Sequence, residues 1–239
     1  MTVYQRKQQI MKHMKEVRFS TVKELAALVW SSESSVRRDI KALESAGYIK
    51  QTYGGIVLAD GETDVVPVGL RDSVNSAVKE RLAKTAAEYV HDGDTLFMDS
   101  SSTVRRIVKH LGHFKNLKII TNNVGVFKEC KNDEIKIYCT GGLYIPKSNV
   151  CVGPAAEGFV SQIHADVMFF SSQAISSDGV ISDSSEQETS LRRVMLKNAK
   201  KKIFLCDSSK VGQERTFYLC DRSSLDCIIC DTPLPWEEN

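Results

Sequence analysis

The chain has 239 residues, 42% hydrophobic and 26% charged, with a formal net charge of +2, which excludes disordered and fibrous classes and leaves room for one large and one small domain. No stretch approaches the roughly 20 apolar residues of a membrane span, and residues 1–15 are polar and basic without the apolar centre of a signal peptide, so the expected location is the cytoplasm. The charge is uneven: residues 1–56 carry ten Lys and Arg against five acids, a net +5, and the remainder carries 22 against 25, a net −3, the footprint of a segment that meets a phosphate backbone.

Three helical periodicities fill the first fifty residues. The first spans residues 3–15, with Ile10 and Met14 four apart. The second begins where Ser20 or Thr21 can cap it and carries Val22, Leu25, Ala26 and Val29 on one face. A short turn, Trp30-Ser31-Ser32, leads to a third helix, capped by Ser32, with Val36, Ile40 and Leu43 as its inward stripe and Gly47 as its stop. Two helices joined in this way form a helix-turn-helix pattern. The inward stripe leaves Ser34, Ser35, Arg37, Arg38 and Lys41 on the outward and flanking faces. Arginine can grip a guanine edge or a phosphate, and small serines let the helix backbone sink into a groove. Residues 48–53 then alternate, turn at Gly54-Gly55, and resume at Ile56-Val57-Leu58 as a two-stranded wing. The competing reading, a helical bundle with a solvated basic face, does not account for cap, stripe, charge and wing together.

Residues 21–55, TVKELAALVWSSESSVRRDIKALESAGYIKQTYGG, resemble the N-terminal winged helix of the DeoR family of bacterial repressors through Ser32, Ser35, Arg37, Arg38, Asp39, Gly54 and Gly55. The resemblance implies a DNA-binding face of Thr21, Ser32, Ser34, Ser35, Arg37, Arg38, Lys41, Tyr53, Gly54 and Gly55, with double-stranded operator DNA as partner. A homodimer or higher homo-oligomer would read repeated half-sites. Gln51 departs from the family pattern, which usually has a basic residue there; Lys50 is its neighbour.

Residues 59–72, ADGETDVVPVGLRD, lack periodicity and contain Gly61, Pro67 and Gly69, so they form the expected linker between a DNA-binding domain, 1–58, and an effector domain, 73–239. From Val78 a helix returns, and strands and helices then alternate. Strands are expected at 95–98, 117–121, 135–140, 167–171, 203–206 and 227–230, and helices near 103–111, 124–130, 155–162 and 188–198. Short apolar strands separated by amphipathic helices imply an α/β fold with a mostly parallel sheet covered on both faces.

In such a sheet ligands sit outside the carboxyl ends of the strands, and the residues there are polar. They are Asp99, Ser100, Ser101, Ser102 and Thr103; Thr121-Asn122-Asn123; Thr140-Gly141-Gly142; Ser171-Ser172-Gln173; and Asp207-Ser208-Ser209-Lys210. The first group opens a helix, whose amides favour an anion such as phosphate. Lys210 and Arg105 or Arg106 are candidate countercharges, and Asp99, Asn122 and Asp207 are of the type that bonds sugar hydroxyls. Each loop alone is also ordinary turn chemistry; their shared location is the signal. Residues 71–231 resemble the DeoR-family sensor domain, related to the ribose-5-phosphate isomerase fold, through Arg71, Asn75, Lys79, residues 94–103, Thr121-Asn122, Gly141-Gly142, Gly153, Met195 and residues 207–210. The resemblance implies a phosphorylated sugar or sugar alcohol that relieves repression. Ser101-Ser102-Thr103 departs from the family's Gly-Thr-Thr, and Ser171-Ser172-Gln173 from its glycine-containing turn.

A sugar-phosphate isomerase is the alternative, but residues 171–188 hold Asp178, Asp183, Glu186 and Glu188 with no glycine cluster and no acid pair directly after the strand, so no catalysis is expected. A DNA-organising protein without a ligand is a third class. Cys227 and Cys230 have zinc-like spacing, but residues three apart in a strand face opposite sides and no second ligand pair follows, so neither metal nor cofactor is expected. Seven cysteines, an odd number, fit reduced packing residues better than a disulfide framework.

Overall fold

The capping and stripe residues of the first fifty positions fold as their pattern predicts, in a computed structural model that describes residues 1–17, 19–45, 48–52, 55–58, 72, 75–146 and 148–237. The chain forms two units, Met1–Thr63 and Asp64–Asn239. Apart from Asp72, the expected linker lies outside the described residues, as do Gly47, the expected stop of the third helix, and Tyr53 and Gly54 of the wing.

The first unit contains α1 (Val3–Val17), β1 (Phe19–Ser20), α2 (Val22–Leu28), α3 (Glu33–Ser45), β2 (Ile49–Thr52) and β3 (Gly55–Leu58). Thr21 caps α2: its Oγ1 accepts the amide of Glu24 at 3.2 Å, while Glu24 Oε2 accepts the Thr21 amide at 2.7 Å, a reciprocal capping box. The Ser20 hydroxyl joins the same carboxylate at 3.1 Å. Ile10, Met14, Leu25, Val36, Ile40 and Leu43 are fully buried where the three helices meet. β1 is a strand that two residues of sequence do not announce; it pairs antiparallel with β3, giving the sheet order β1-β3-β2. Gly55 permits the approach, since a Cβ there would lie 2.6 Å from the Phe19 ring and 2.8 Å from the Ser20 carbonyl oxygen.

The second unit is built on six parallel strands in the order β14-β12-β9-β4-β5-β6. These are β4 (Thr95–Met98), β5 (Lys118–Thr121), β6 (Lys136–Cys139), β9 (Ala165–Phe170), β12 (Ala199–Cys206) and β14 (Cys227–Cys230). The period of two divides the core. Leu96, Met98, Ile119, Val167, Phe169, Ile203 and Leu205 face α4 (Ser76–Ala87) and α5 (Ser102–Arg105). Phe97, Ile120, Met168, Phe170, Phe204 and Cys206 face α7 (Pro154–Val160) and α8 (Glu186–Lys197). The remaining helix, α6 (Val126–Glu129), buries Val126 on the first face.

Two features differ from the sequence reading. The helix expected over 103–111 is a single α turn, Ser102–Arg105, followed by a 3-10 segment, Arg106–His110. Five short strands were not expected. β7 (Leu143–Ile145) and β8 (Val150–Val152) form a ribbon, and β10 (Ala174–Ile175), β11 (Val180–Asp183) and β13 (Phe217–Asp221) form an antiparallel sheet. Each pairs antiparallel with a neighbour, and that partner strand defines it.

Candidate DNA-binding face and effector site

On α3 the inward stripe is completed by Asp39, 2% exposed, whose carboxylate pairs with Arg6 of α1. Asp39 therefore locks the helix to its support, while Arg37, Arg38 and Lys41 project into solvent. Ser32 Oγ accepts the Ser35 amide at 3.3 Å and lies 3.0 Å from the hydroxyls of Ser34 and Ser35. Arg38 Nη2 donates to Ser35 Oγ at 3.4 Å. The helix thus presents a hydroxyl cluster beside two guanidiniums. The Arg37–Glu33 pair, 3.6 Å apart and half exposed on both sides, is a weak surface contact that does not hold Arg37 back.

Two expected contact residues have structural duties as well. The Thr21 hydroxyl is taken up by the α2 cap, and Gly55 allows β1 to pass. Gln51, the departure from the family pattern, donates its amide to Glu44 Oε1 at 2.7 Å and its side chain to Oε2 at 2.5 Å, tying β2 to the end of α3. Lys50 beside it is exposed. Trp30, in the turn between α2 and α3, is 95% exposed with φ of 48°.

In the second unit the strand order reverses at β4, the first strand of the sheet: β5 and β6 lie to one side, β9, β12 and β14 to the other. The crevice at such a switch point is where an open α/β sheet takes a ligand. The polar strand ends meet there. Asp99, after β4, accepts the Ser171 amide, after β9, at 3.2 Å. Asn123 Nδ2 donates to the Ser100 carbonyl at 3.1 Å. Lys210 Nζ, after β12, donates to Ser171 Oγ at 2.9 Å and lies 3.7 Å from Asp207. Gly142, directly before β7, leaves no room for a Cβ, which would lie 2.5 Å from the Val152 carbonyl oxygen; together with Gly141, it turns the chain with positive φ.

The floor of the crevice holds residues that the strand-end pattern does not single out. Arg192 of α8, 4% exposed, donates from Nε to Asp99 Oδ2 at 2.8 Å, from Nη1 to Asp183 Oδ2 at 2.9 Å and from Nη2 to Glu188 Oε2 at 3.2 Å. Burial opposes its charge, but Asp183, Asp99 and Glu188 outweigh that and hold the guanidinium above its ordinary value. The Ser100 hydroxyl donates to Glu188. Asp99 is therefore occupied by Arg192 and two backbone amides, those of Ser101 and Ser171, a different role from the sugar-hydroxyl acceptor its position implied. Asp183 and Glu188, two of the four acids weighed for isomerisation, are likewise fixed by Arg192 and are not free proton shuttles. A sequence signal existed, since Glu188, Arg192 and Met195 share one face of α8, and charges on an otherwise inward stripe mark a buried ion pair.

The second group is Lys79 of α4, 5% exposed, which the family resemblance includes but the strand-end pattern does not; its Nζ donates to Ser102 Oγ at 3.2 Å. Burial, then the charge of Lys210, brings its ammonium down to about 8. Ser101 caps α5, accepting the Val104 amide at 3.2 Å, and Thr103 is buried beside it. A single α turn has little dipole, so the cationic character of the crevice comes from Lys79 and Lys210. Burial raises Asp207, but Lys210, the Ser209 hydroxyl, Asn75 and Lys79 outweigh it and hold the carboxyl below the usual range. The arginines expected as countercharges are engaged elsewhere. Arg105 pairs with Asp72 at 2.6 Å and Glu129 at 3.0 Å, and Arg106 with Glu80 at 3.2 Å and the Asp72 carbonyl at 2.7 Å. Asn122, 3% exposed, donates Nδ2 to the Cys151 carbonyl at 3.2 Å, while its Oδ1 is buried and accepts no hydrogen bond from the described residues.

Among the described residues no group of three or more His, Cys, Asp or Glu is placed to hold a metal ion, and no helix is long and apolar enough to cross a membrane. Cys227 packs with one sheet face and Cys230 with the other.

The family model described as the DeoR-like helix-turn-helix domain matches residues 6–62, and that of the DeoR C terminal sensor domain matches residues 74–232. The HTH-type transcriptional regulator GolR of Listeria innocua is 32% identical over 215 residues, covering 90% of this chain and 85% of that protein. The glycerol-3-phosphate regulon repressor of Escherichia coli is 27% identical, covering 97% and 92%. Among solved structures, ribose 5-phosphate isomerase A of Methanocaldococcus jannaschii is 16% identical with a TM-score of 0.43, covering 57% of this chain and 55% of that one. With both family models matched in order along its length, the chain belongs to the DeoR family of DNA-binding transcriptional regulators.

Proposed function

We propose that this regulator represses genes of sugar or sugar-alcohol metabolism and is relieved when a phosphorylated sugar or sugar alcohol enters the crevice between β4 and β9. The observation that carries the reading is the convergence of two lysines, Lys79 and Lys210, on the hydroxyls of Ser102 and Ser171 at the topological switch point. Two ammonium groups and several hydroxyls suit a phosphate, and the buried Asn122 Oδ1 suits a hydroxyl of the same ligand. The name of one relative, a glycerol-3-phosphate regulon repressor, agrees with that ligand class. Asp72 supports coupling, because its carboxylate and carbonyl bind Arg105 and Arg106 just beyond the serine loop, at the end of the segment that leads from the DNA-binding unit.

On the DNA side, Ser32, Ser34, Ser35, Arg37, Arg38 and Lys41 form the contact face, and a homodimer reads two half-sites. If a dimer neutralises about 6 to 10 phosphates, log affinity falls against log salt with a slope of roughly −5 to −9. A coupling of about 1 to 3 kcal/mol would make the effector weaken operator binding roughly 5-fold to 150-fold. The test is a thermal-shift screen of sugar phosphates on the full chain, followed by operator binding with and without each hit. Lys210→Ala should lose the effector response and keep ligand-free operator binding. Retained release at the same sugar phosphate concentration would refute this placement of the site. Full operator binding by the Arg37→Ala/Arg38→Ala double variant would refute the DNA face.

A further inference from the structure

Two thiols stand in contact beside the crevice and have no part in the reading above. Cys139 ends β6, an edge strand of the parallel sheet, and is exposed, while Cys151 in the middle of β8 is 7% exposed. Their sulfurs are 3.9 Å apart. A disulfide needs about 2.05 Å between sulfurs, a closure of the size that side-chain rotation with a small strand shift supplies. Thr140, next to Cys139, donates its amide to the Thr121 carbonyl at 3.1 Å. Cys151 donates its amide to the Asn122 carbonyl at 2.9 Å and accepts Asn122 Nδ2 at 3.2 Å. The two thiol-bearing segments thus grip consecutive residues of one crevice loop.

We propose that Cys139 and Cys151 are a site of reversible oxidation by peroxide, and that the disulfide they form clips β6 to β8 and rigidifies the Thr121-Asn122 loop. The exposed thiol reacts first. Cys139 loses its proton and attacks a peroxide oxygen; an S–O bond forms as the O–O bond breaks, and the leaving hydroxide takes a proton to become water. Cys151 Sγ then attacks the Cys139 sulfur, an S–S bond replaces the S–O bond, and the displaced hydroxyl leaves with the Cys151 proton as a second water. The thiols together lose two electrons, and one hydrogen peroxide becomes two waters. Burial, with Cys139 alongside, raises the Cys151 thiol to about 11, in keeping with its acting second. A bearing on effector binding rests on the proposed function; formation of the clip does not.

The test treats the full chain with hydrogen peroxide and maps peptides without reduction. The expected result is a fall in free thiols from seven to five, a dithiothreitol-sensitive link between the peptides of Cys139 and Cys151, and no such loss in Cys139→Ser. Hydrogen exchange in the peptide covering residues 121–125 should slow several-fold on oxidation in the native sequence and stay unchanged in Cys139→Ser. In Cys151→Ser, Cys139 should be trapped as a sulfenic acid by dimedone. A link between Cys206 and Cys230, which share a register on β12 and β14, or the absence of any link, overturns the proposal. A correct link with unchanged exchange at 121–125 overturns the clip. Failure of every sugar phosphate to bind would instead refute the proposed effector and leave the thiol result intact.

Discussion

Replacing Arg192 by Met removes the single cation that three buried carboxylates share while keeping a side chain of similar length. In the native unit Asp99, Asp183 and Glu188 lie 2.8, 2.9 and 3.2 Å from the guanidinium nitrogens, and all four side chains are at most 5% exposed. Breaking one buried pair by deleting a partner costs about 3–5 kcal/mol, because the remaining charge is stranded without water. Here three charges are stranded together, so the upper end applies. In a domain of this size about 1 kcal/mol corresponds to roughly 2–4 °C in Tm, so Arg192→Met should melt about 10–20 °C below the native protein. Thermal unfolding followed by circular dichroism on the full chain reads this directly. Arg192→Lys keeps the charge but not the three-way fork and should fall between the two. Lowering the pH from 8 to 5 should narrow the gap, since a carboxylate without its cation is buried more easily as the neutral acid. A Met variant that melts within about 3 °C of the native protein would refute the claim that this cluster organises the crevice.

Lys79→Met should trade response for stability. With its folded value lowered to about 8 from 10.5, the charged form of Lys79 costs stability fully below pH 8, and the cost is relieved as the pH rises towards 10.5. The Met variant should therefore be more stable by about 1–3 kcal/mol at pH 7, with an advantage that shrinks by pH 10 and with no thermal shift from sugar phosphates; denaturant titrations at the two pH values check the sign. Thr21→Ala removes the hydroxyl cap of α2 and should cost the DNA-binding unit about 1 kcal/mol, measured as a lower denaturant midpoint that Thr21→Ser largely restores. Gly142→Ala forces a Cβ to 2.5 Å from the Val152 carbonyl oxygen at a φ of 97°; a loss of at least about 2 kcal/mol is expected, and an unchanged Tm would show that the ribbon relaxes freely.

The sequence by itself determined the first unit almost completely. Capping at Thr21, the Val36–Ile40–Leu43 stripe and the alternation at the wing are local signals whose range matches helices and hairpins, and local chemistry decides such elements. It also determined that strands and helices alternate beyond residue 94, because the central strands carry short apolar runs, at residues 96–98, 167–170 and 203–206. The tertiary structure decided what no window of sequence contains. The order β14-β12-β9-β4-β5-β6 placed the ends of β4 and β9 at the switch point, and only that neighbourhood makes their loops candidates for binding where each alone is an ordinary turn. Folding also assigned the charges: Arg192, far from Asp99 in the chain, neutralises it in the fold, whereas Arg105 and Arg106, next to the serine loop in sequence, are drawn to Asp72, Glu129 and Glu80. The reason is physical. An ion pair in a buried place is chosen by three-dimensional proximity and by the cost of leaving any charge unpaired, so the partners of a buried residue are fixed only when distant segments close around it.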